Sequence, residues 1–97
     1  MINQDKKTAK HKEIVNELTT LYDGKNRDYD DSFGKSFITY GMAMPCIRLE
    51  DKLNRLRALT LKNQSQQVQD ESVIDTLKDL ANYAIMTIIE MEMQEDE

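Results

Sequence analysis

The longest strongly periodic stretch of the chain runs from Gln69 to Glu92. At about 100° per residue, Glu71, Asp75, Asp79 and Asn82 fall within an arc of roughly 80° on one helix face. Val73, Leu77, Leu80, Ala81, Ala84, Ile88 and Met91 gather on the opposite side within about 100°. The pattern predicts a long amphipathic helix with a carboxylate stripe on one side and a core on the other. Acids at i, i+4 and i+8 repel one another by a few tenths of a kcal/mol per pair, so the stripe calls for a cation or a basic partner. From Tyr83 to Met91 the helix is apolar on nearly all sides. A thin bundle cannot bury all of that surface, and this half is expected in a subunit interface.

Three further elements follow from the same periodicity. A first helix is predicted over about Thr8 to Tyr22, with Ile14, Val15, Leu18, Leu21 and Tyr22 on one face and Gly24 placed to stop it. Ser32 is placed to cap a short helix carrying Phe33, Phe37, Ile38 and Tyr40, which breaks around Gly41 and Pro45. Pro45 suits the first turn of the next helix, expected over about Met44 to Leu61 with Ile47, Leu49, Leu53, Leu56 and Leu59 on its apolar side. Lys25 to Ser32 reads as a charge-dense loop, and residues 62–69 as a Gln- and Asn-rich connection. No period-two alternation persists. The fold class expected is all-α: a single domain over 1–97, a small bundle of three main helices and one short one, with tails at 1–8 and 93–97 that fray.

Composition narrows the partners. Ninety-seven residues at 39% apolar and 32% charged suffice for one small domain, whose thin core favours completion by self-association. A net charge of −5 argues against direct nucleic-acid binding, which draws on clustered Lys and Arg. Nucleotides remain open, because a carboxylate-bound Mg²⁺ can meet their phosphates. Cys46 has no second cysteine to pair with, which fits a reducing compartment. Met1 to Lys12 is polar and basic, unlike a signal peptide, and Leu80 to Ile89 is half the length of a membrane span. A cytoplasmic protein with no membrane partner is expected.

Three constellations carry candidate chemistry. Glu71, Asp75 and Asp79, one helical turn apart and extended by Asn82, have the spacing to share a hard cation; the competing reading is a solvated face. Arg48, Asp51, Lys52 and Arg55 recur at i, i+3, i+4 and i+7 on the preceding helix. They either neutralise the acids across an antiparallel helix pair or form a site in which cations bind phosphate and Asp51 helps hold a metal. Lys25, Arg27, Asp28, Tyr29 and Ser32 suit phosphates on the cations and a base on Tyr29, against the plainer reading of a capped turn. Gly34-Lys35-Ser36 imitates the end of a P-loop, but no strand precedes it. His11 is isolated, and Cys46 reads as a small buried side chain. Met42, Met44, Met86 and Met91 read as gap-filling core residues.

The series Lys25…Asp28-Tyr29…Ser32-Phe33, Gly41, Arg48…Asp51-Lys52…Arg55, then Asp70-Glu71-Ser72…Asp75-Thr76-Leu77…Asp79-Leu80-Ala81-Asn82-Tyr83 resembles the nucleotide modification associated domain of the first type. That family comprises small all-α proteins typical of bacteriophages and prophages, and the resemblance covers roughly residues 10 to 92. More distantly the pattern is similar to the all-α nucleoside triphosphate pyrophosphohydrolases of the MazG and dimeric dUTPase group, which act with Mg²⁺ and assemble as dimers or tetramers. The resemblance implies Mg²⁺ on Glu71 and Asp75, with Glu50 or Asp51 contributing from the facing helix. It implies phosphate stabilisation by Lys25, Lys52 and Arg55. Two motifs depart from the pyrophosphohydrolases. Their E-E-x-x-E block is Glu50-Asp51-Lys52-Leu53-Asn54 here, and their E-x-x-D becomes Glu71 and Asp75, four apart. Asp30 stands where the closer family often has glycine.

The expectation is a self-associating, phage-type protein that handles nucleotides, modified ones included, with Mg²⁺. In that scheme Asp51, Lys52 and Arg55 are catalytic, and Lys25, Asp28, Tyr29, Ser32 and Arg48 hold the nucleotide. Glu50, Glu71, Asp75 and Asp79 hold the metal, and the reaction is release of pyrophosphate from a nucleoside triphosphate. The alternative is a non-catalytic acidic helix that docks on a host or phage protein.

Overall fold

A polar, lysine-rich start does not prevent a helix when its first turn is well capped. In a computed structural model describing residues 3–62 and 70–95, α1 spans Gln4–Asp28. Asn3 is its N-cap, and its side-chain oxygen accepts from the Asp5 and Lys6 N–H groups. Asp5 lies in the first turn, where a negative charge favours the helix dipole. Helix therefore reaches well into the stretch expected to fray. It also passes straight through Gly24. The pairs Lys10–Glu13 at 3.1 Å and Arg27–Asp23 at 3.0 Å support the exposed faces at i,i+3 and i,i+4. Half of the charge-dense loop expected from Lys25 onward is thus the last turn of α1.

Gly24 is a stopper only when it adopts a left-handed conformation, and here a Cβ would meet nothing within 4 Å on an ordinary helical backbone. Gly24→Ala should therefore stabilise the protein by about 0.5–1 kcal/mol. A thermal melt checks this, with a rise of a few degrees expected. The true stop lies five residues further on. The Asp31 N–H donates to the Asn26 carbonyl at 3.0 Å and the Asp30 N–H to the Arg27 carbonyl at 3.3 Å, the paired bonds of a Schellman motif. Asp30 holds the left-handed position with φ 53°, followed by Asp31 with the same φ. Aspartate tolerates that region better than most side chains, but glycine occupies it at no steric cost. Asp30→Gly should add up to about 1 kcal/mol, read as a shift in the denaturation midpoint.

The chain divides into two compact units, Met1–Ser32 and Phe33–Glu97. The second holds almost all of α2 (Ser32–Tyr40), then α3 (Ala43–Arg57), a single π-helical turn (Ala58–Lys62) and α4 (Asp70–Glu95). Of the connection expected at residues 62–69, Lys62 ends the π-helical turn and residues 63–69 lie outside the described residues. Gly41 ends α2 with φ 65° and donates its N–H to the Phe37 carbonyl at 2.7 Å, as a left-handed cap requires. Pro45 sits in the first turn of α3, fully buried. Three long helices and one short one, with no strand among the described residues, make the fold all-α.

Helices α3 and α4 pack against one another, and the face that α4 buries is not its apolar one. Thr76 and Thr87 are its buried residues. Their hydroxyls donate back to the Ser72 and Tyr83 carbonyls at 2.8 and 2.7 Å, which offsets the cost of taking them out of water. Leu77, Ala84, Ile88 and Met91, expected in the core, are exposed, as are Ile74 and Ile85. Phe33 and Met44 form the buried apolar centre of this unit, while Leu18 is buried in α1. Met42 and Met91 are exposed rather than gap-filling, and Cys46 is exposed rather than buried.

Candidate functional site

On α3 the residues Arg48, Asp51, Lys52 and Arg55 lie within about 100° of one another around the helix axis. The turn-by-turn repeat of the sequence therefore becomes a single polar edge. In the structure these four residues, with Tyr83 of α4, line one cavity of about 280 Å³. Its size is at the small end of ligand pockets, and its lining carries three cations and one carboxylate.

Tyr83 is held from behind. Its ring stacks on that of buried Phe33, with centroids 5.9 Å apart and planes inclined by 25°. Such an offset pair contributes about 0.5–1.5 kcal/mol beyond its buried area, so the wall of the cavity on the α4 side is well ordered. The periodicity alone puts Tyr83 at the start of the apolar half of the helix, where a subunit interface is expected. A signal for its true place was available, since Tyr83 follows Asp79 by four residues and so sits one turn along the same edge.

Asp79 answers what meets the acidic stripe. Its Oδ2 accepts from Lys52 Nζ at 3.0 Å, across α3 and α4, with both side chains about two-thirds covered. A partly exposed pair of this kind contributes up to about 1 kcal/mol. Glu71 and Asp75 do not join it. Each step of four residues turns about 40° around a helix, so a stripe at i, i+4 and i+8 winds off the contact face. Both residues are exposed. Glu50 lies about 160° from Lys52 around α3 and is exposed, outside the cavity lining.

Among the described residues, no three of His, Cys, Asp and Glu come together in a way that could hold a metal ion. The four expected metal ligands, Glu50, Glu71, Asp75 and Asp79, therefore form no preassembled protein cage. Asp51 is the carboxylate that lines the cavity. Mg²⁺ often takes only one or two carboxylates and completes its shell with water and substrate phosphate, and that is the mode this donor set fits.

The remaining expected ligand residues belong to the first unit. Lys25 and Asp28 are in the last turn of α1, Tyr29 is its C-cap and two-thirds exposed, and Ser32 begins α2. Around them the Asn26 side-chain amide donates to Asp31 at 3.3 Å, a bond that closes the turn between α1 and α2.

Arg48 and Arg55 are exposed and, among the described residues, neither has a carboxylate within ion-pairing distance. Among the described residues, Lys52 is the one cavity cation with such a partner. An arrangement with two guanidinium groups, an ammonium and an aromatic wall has the chemistry to bind an anion with several oxygens, since guanidinium presents paired donors to phosphate or carboxylate.

Among the described residues no helix is long and apolar enough to cross a membrane. Searches of curated proteins and of solved structures returned no match. The profile described as nucleotide modification associated domain 1 matches residues 25–91, a span that contains all five residues of the cavity. The chain belongs to the nucleotide modification associated domain 1 family.

Proposed function

We propose that this protein binds a nucleotide through its phosphate groups at the α3–α4 cavity. The observation that carries the proposal is the convergence of Arg48, Lys52 and Arg55 on one cavity in a chain of nucleotide-associated family. Arg48 and Arg55 supply bidentate donors for phosphate oxygens and Lys52 a point charge between them. Tyr83 offers a flat apolar wall to the sugar or base. Mg²⁺ enters this scheme as an ion carried by the nucleotide, with Asp51 as the protein carboxylate beside it; the ion's contribution is to neutralise phosphate charge. The pyrophosphohydrolase reaction is the finer form of the proposal, in which Asp51, Lys52 and Arg55 surround the phosphates under attack. Host cytoplasm is the setting that a phage-type nucleotide protein requires.

Self-association belongs to the same proposal. Ile74, Leu77, Ile85, Ile88 and Met91 are each 40–53% exposed and share an arc of about 120° on α4. This stripe lies away from the buried Thr76 and Thr87, and a second copy of α4 is the occupant whose chemistry it matches. Dimers or tetramers would bury it.

A titration of the native protein with ordinary and modified deoxynucleoside triphosphates, followed by calorimetry with and without Mg²⁺, tests the binding. Saturable heat for at least one nucleotide is expected. Absence of heat for all of them would overturn the proposal and favour the acidic-helix docking module.

A further inference from the structure

The cavity has three cations, yet one of them is already engaged. Lys52 Nζ lies 3.0 Å from the Asp79 carboxylate, which reaches it from the facing helix, whereas Arg48 and Arg55 have no such partner among the described residues. Asp79 is not itself part of the cavity lining. A phosphate oxygen arriving at Lys52 must therefore share the ammonium with a resident carboxylate or displace it. Carboxylate and phosphate compete for the same donors.

We propose that Asp79 is a built-in competitor for ligand phosphate on Lys52, and that this competition sets the charge a ligand must carry to occupy the cavity. The inference rests on the phosphate-binding proposal above and adds its selectivity. A monophosphate gains little by exchanging one carboxylate for another anion on Lys52. A di- or triphosphate also spans Arg48 and Arg55, and its additional contacts outweigh the lost ion pair. The Lys52–Asp79 pair is partly exposed and therefore cheap to open, which makes exchange feasible without disturbing the packing of α3 on α4. A metal-ligand role for Asp79 makes the opposite prediction, because removing a ligand weakens binding.

The test is calorimetric titration of the full chain with inorganic orthophosphate, inorganic tripolyphosphate and dATP, first without divalent metal and then with Mg²⁺. Asp79→Asn should bind tripolyphosphate and dATP about threefold to tenfold more tightly than the native protein. The preference for tripolyphosphate over orthophosphate should narrow. In a Lys52→Gln background the same substitution should bring no gain, which separates competition at Lys52 from a general change in charge. Asp79→Ser serves as the second variant if Asp79→Asn does not keep the native melt. Native binding with unchanged or weaker binding in the Asp79 variants would overturn this inference and leave the phosphate site standing. No binding by native protein or variants would overturn both.

Discussion

Arg48→Glu combined with Arg55→Glu should lower nucleotide affinity by at least about a hundredfold while leaving the melting curve close to native. Hydrogen bonds to charged groups contribute about 1.5–3 kcal/mol each, so two lost guanidinium contacts amount to roughly 3–6 kcal/mol, or two to four orders of magnitude. Both side chains are exposed and, among the described residues, neither holds an ion pair, so the fold loses little when they change. Arg57→Glu is the control. It lies on the same helix about 180° from Arg48, outside the cavity lining, with its guanidinium on Asn54 at 3.3 Å. It alters net charge by the same amount per residue without touching the proposed site. If Arg57→Glu weakens binding as much as either cavity arginine, the effect is long-range charge and the cavity assignment fails.

Ile88→Asp should convert the assembled protein to monomers, observed as a halving or greater fall in mass by light scattering behind size exclusion. Burying an isoleucine contributes about 1.5–3 kcal/mol, and a two-fold interface uses each position twice. An aspartate there adds the cost of confining a carboxylate among apolar groups. The combined loss corresponds to at least about a hundredfold in dissociation constant. Ile38→Asp provides the comparison, since Ile38 is more exposed at 69% but belongs to α2 and not to the α4 stripe. A native protein that is monomeric at all concentrations, or an Ile88→Asp variant with unchanged mass, would refute self-association through α4.

The helices were legible in the chain because their periodicity is strong, and so was the Arg48–Asp51–Lys52–Arg55 edge. Residues at i, i+3, i+4 and i+7 stay within about 100° of one another around the axis. Spacing fixes a face, but not how much of it meets the neighbouring helix. Glu71, Asp75 and Asp79 look like one stripe on paper, yet a row at four-residue spacing turns about 40° per step, and only Asp79 reaches α3. The end of α1 was misplaced because Gly24 and Asp30 exchanged their usual roles. The glycine sits in an ordinary helical turn, and the aspartate occupies the left-handed site a glycine would take.

The orientation of α4 was the least legible feature. Amphipathicity identifies the face that avoids water, not the neighbour that covers it. Here the side turned to α3 carries Asp79 and Tyr83, and the buried residues of α4 are Thr76 and Thr87, whose hydroxyls bond within the helix. Leu77, Ile88 and Met91 are left outward. Tyr83 was missed as a cavity residue for the same reason.

The π-helical turn at Ala58–Lys62 has a consequence for the length of this chain. Hydrogen bonds that reach one residue further than in an α-helix accommodate a single extra residue without breaking the rod. Losing any one residue of that turn would let α3 continue as an uninterrupted α-helix past Arg57. Single-residue gaps should therefore be tolerated between Ala58 and Lys62, where a shorter sequence signifies a tightened turn and not a missing element.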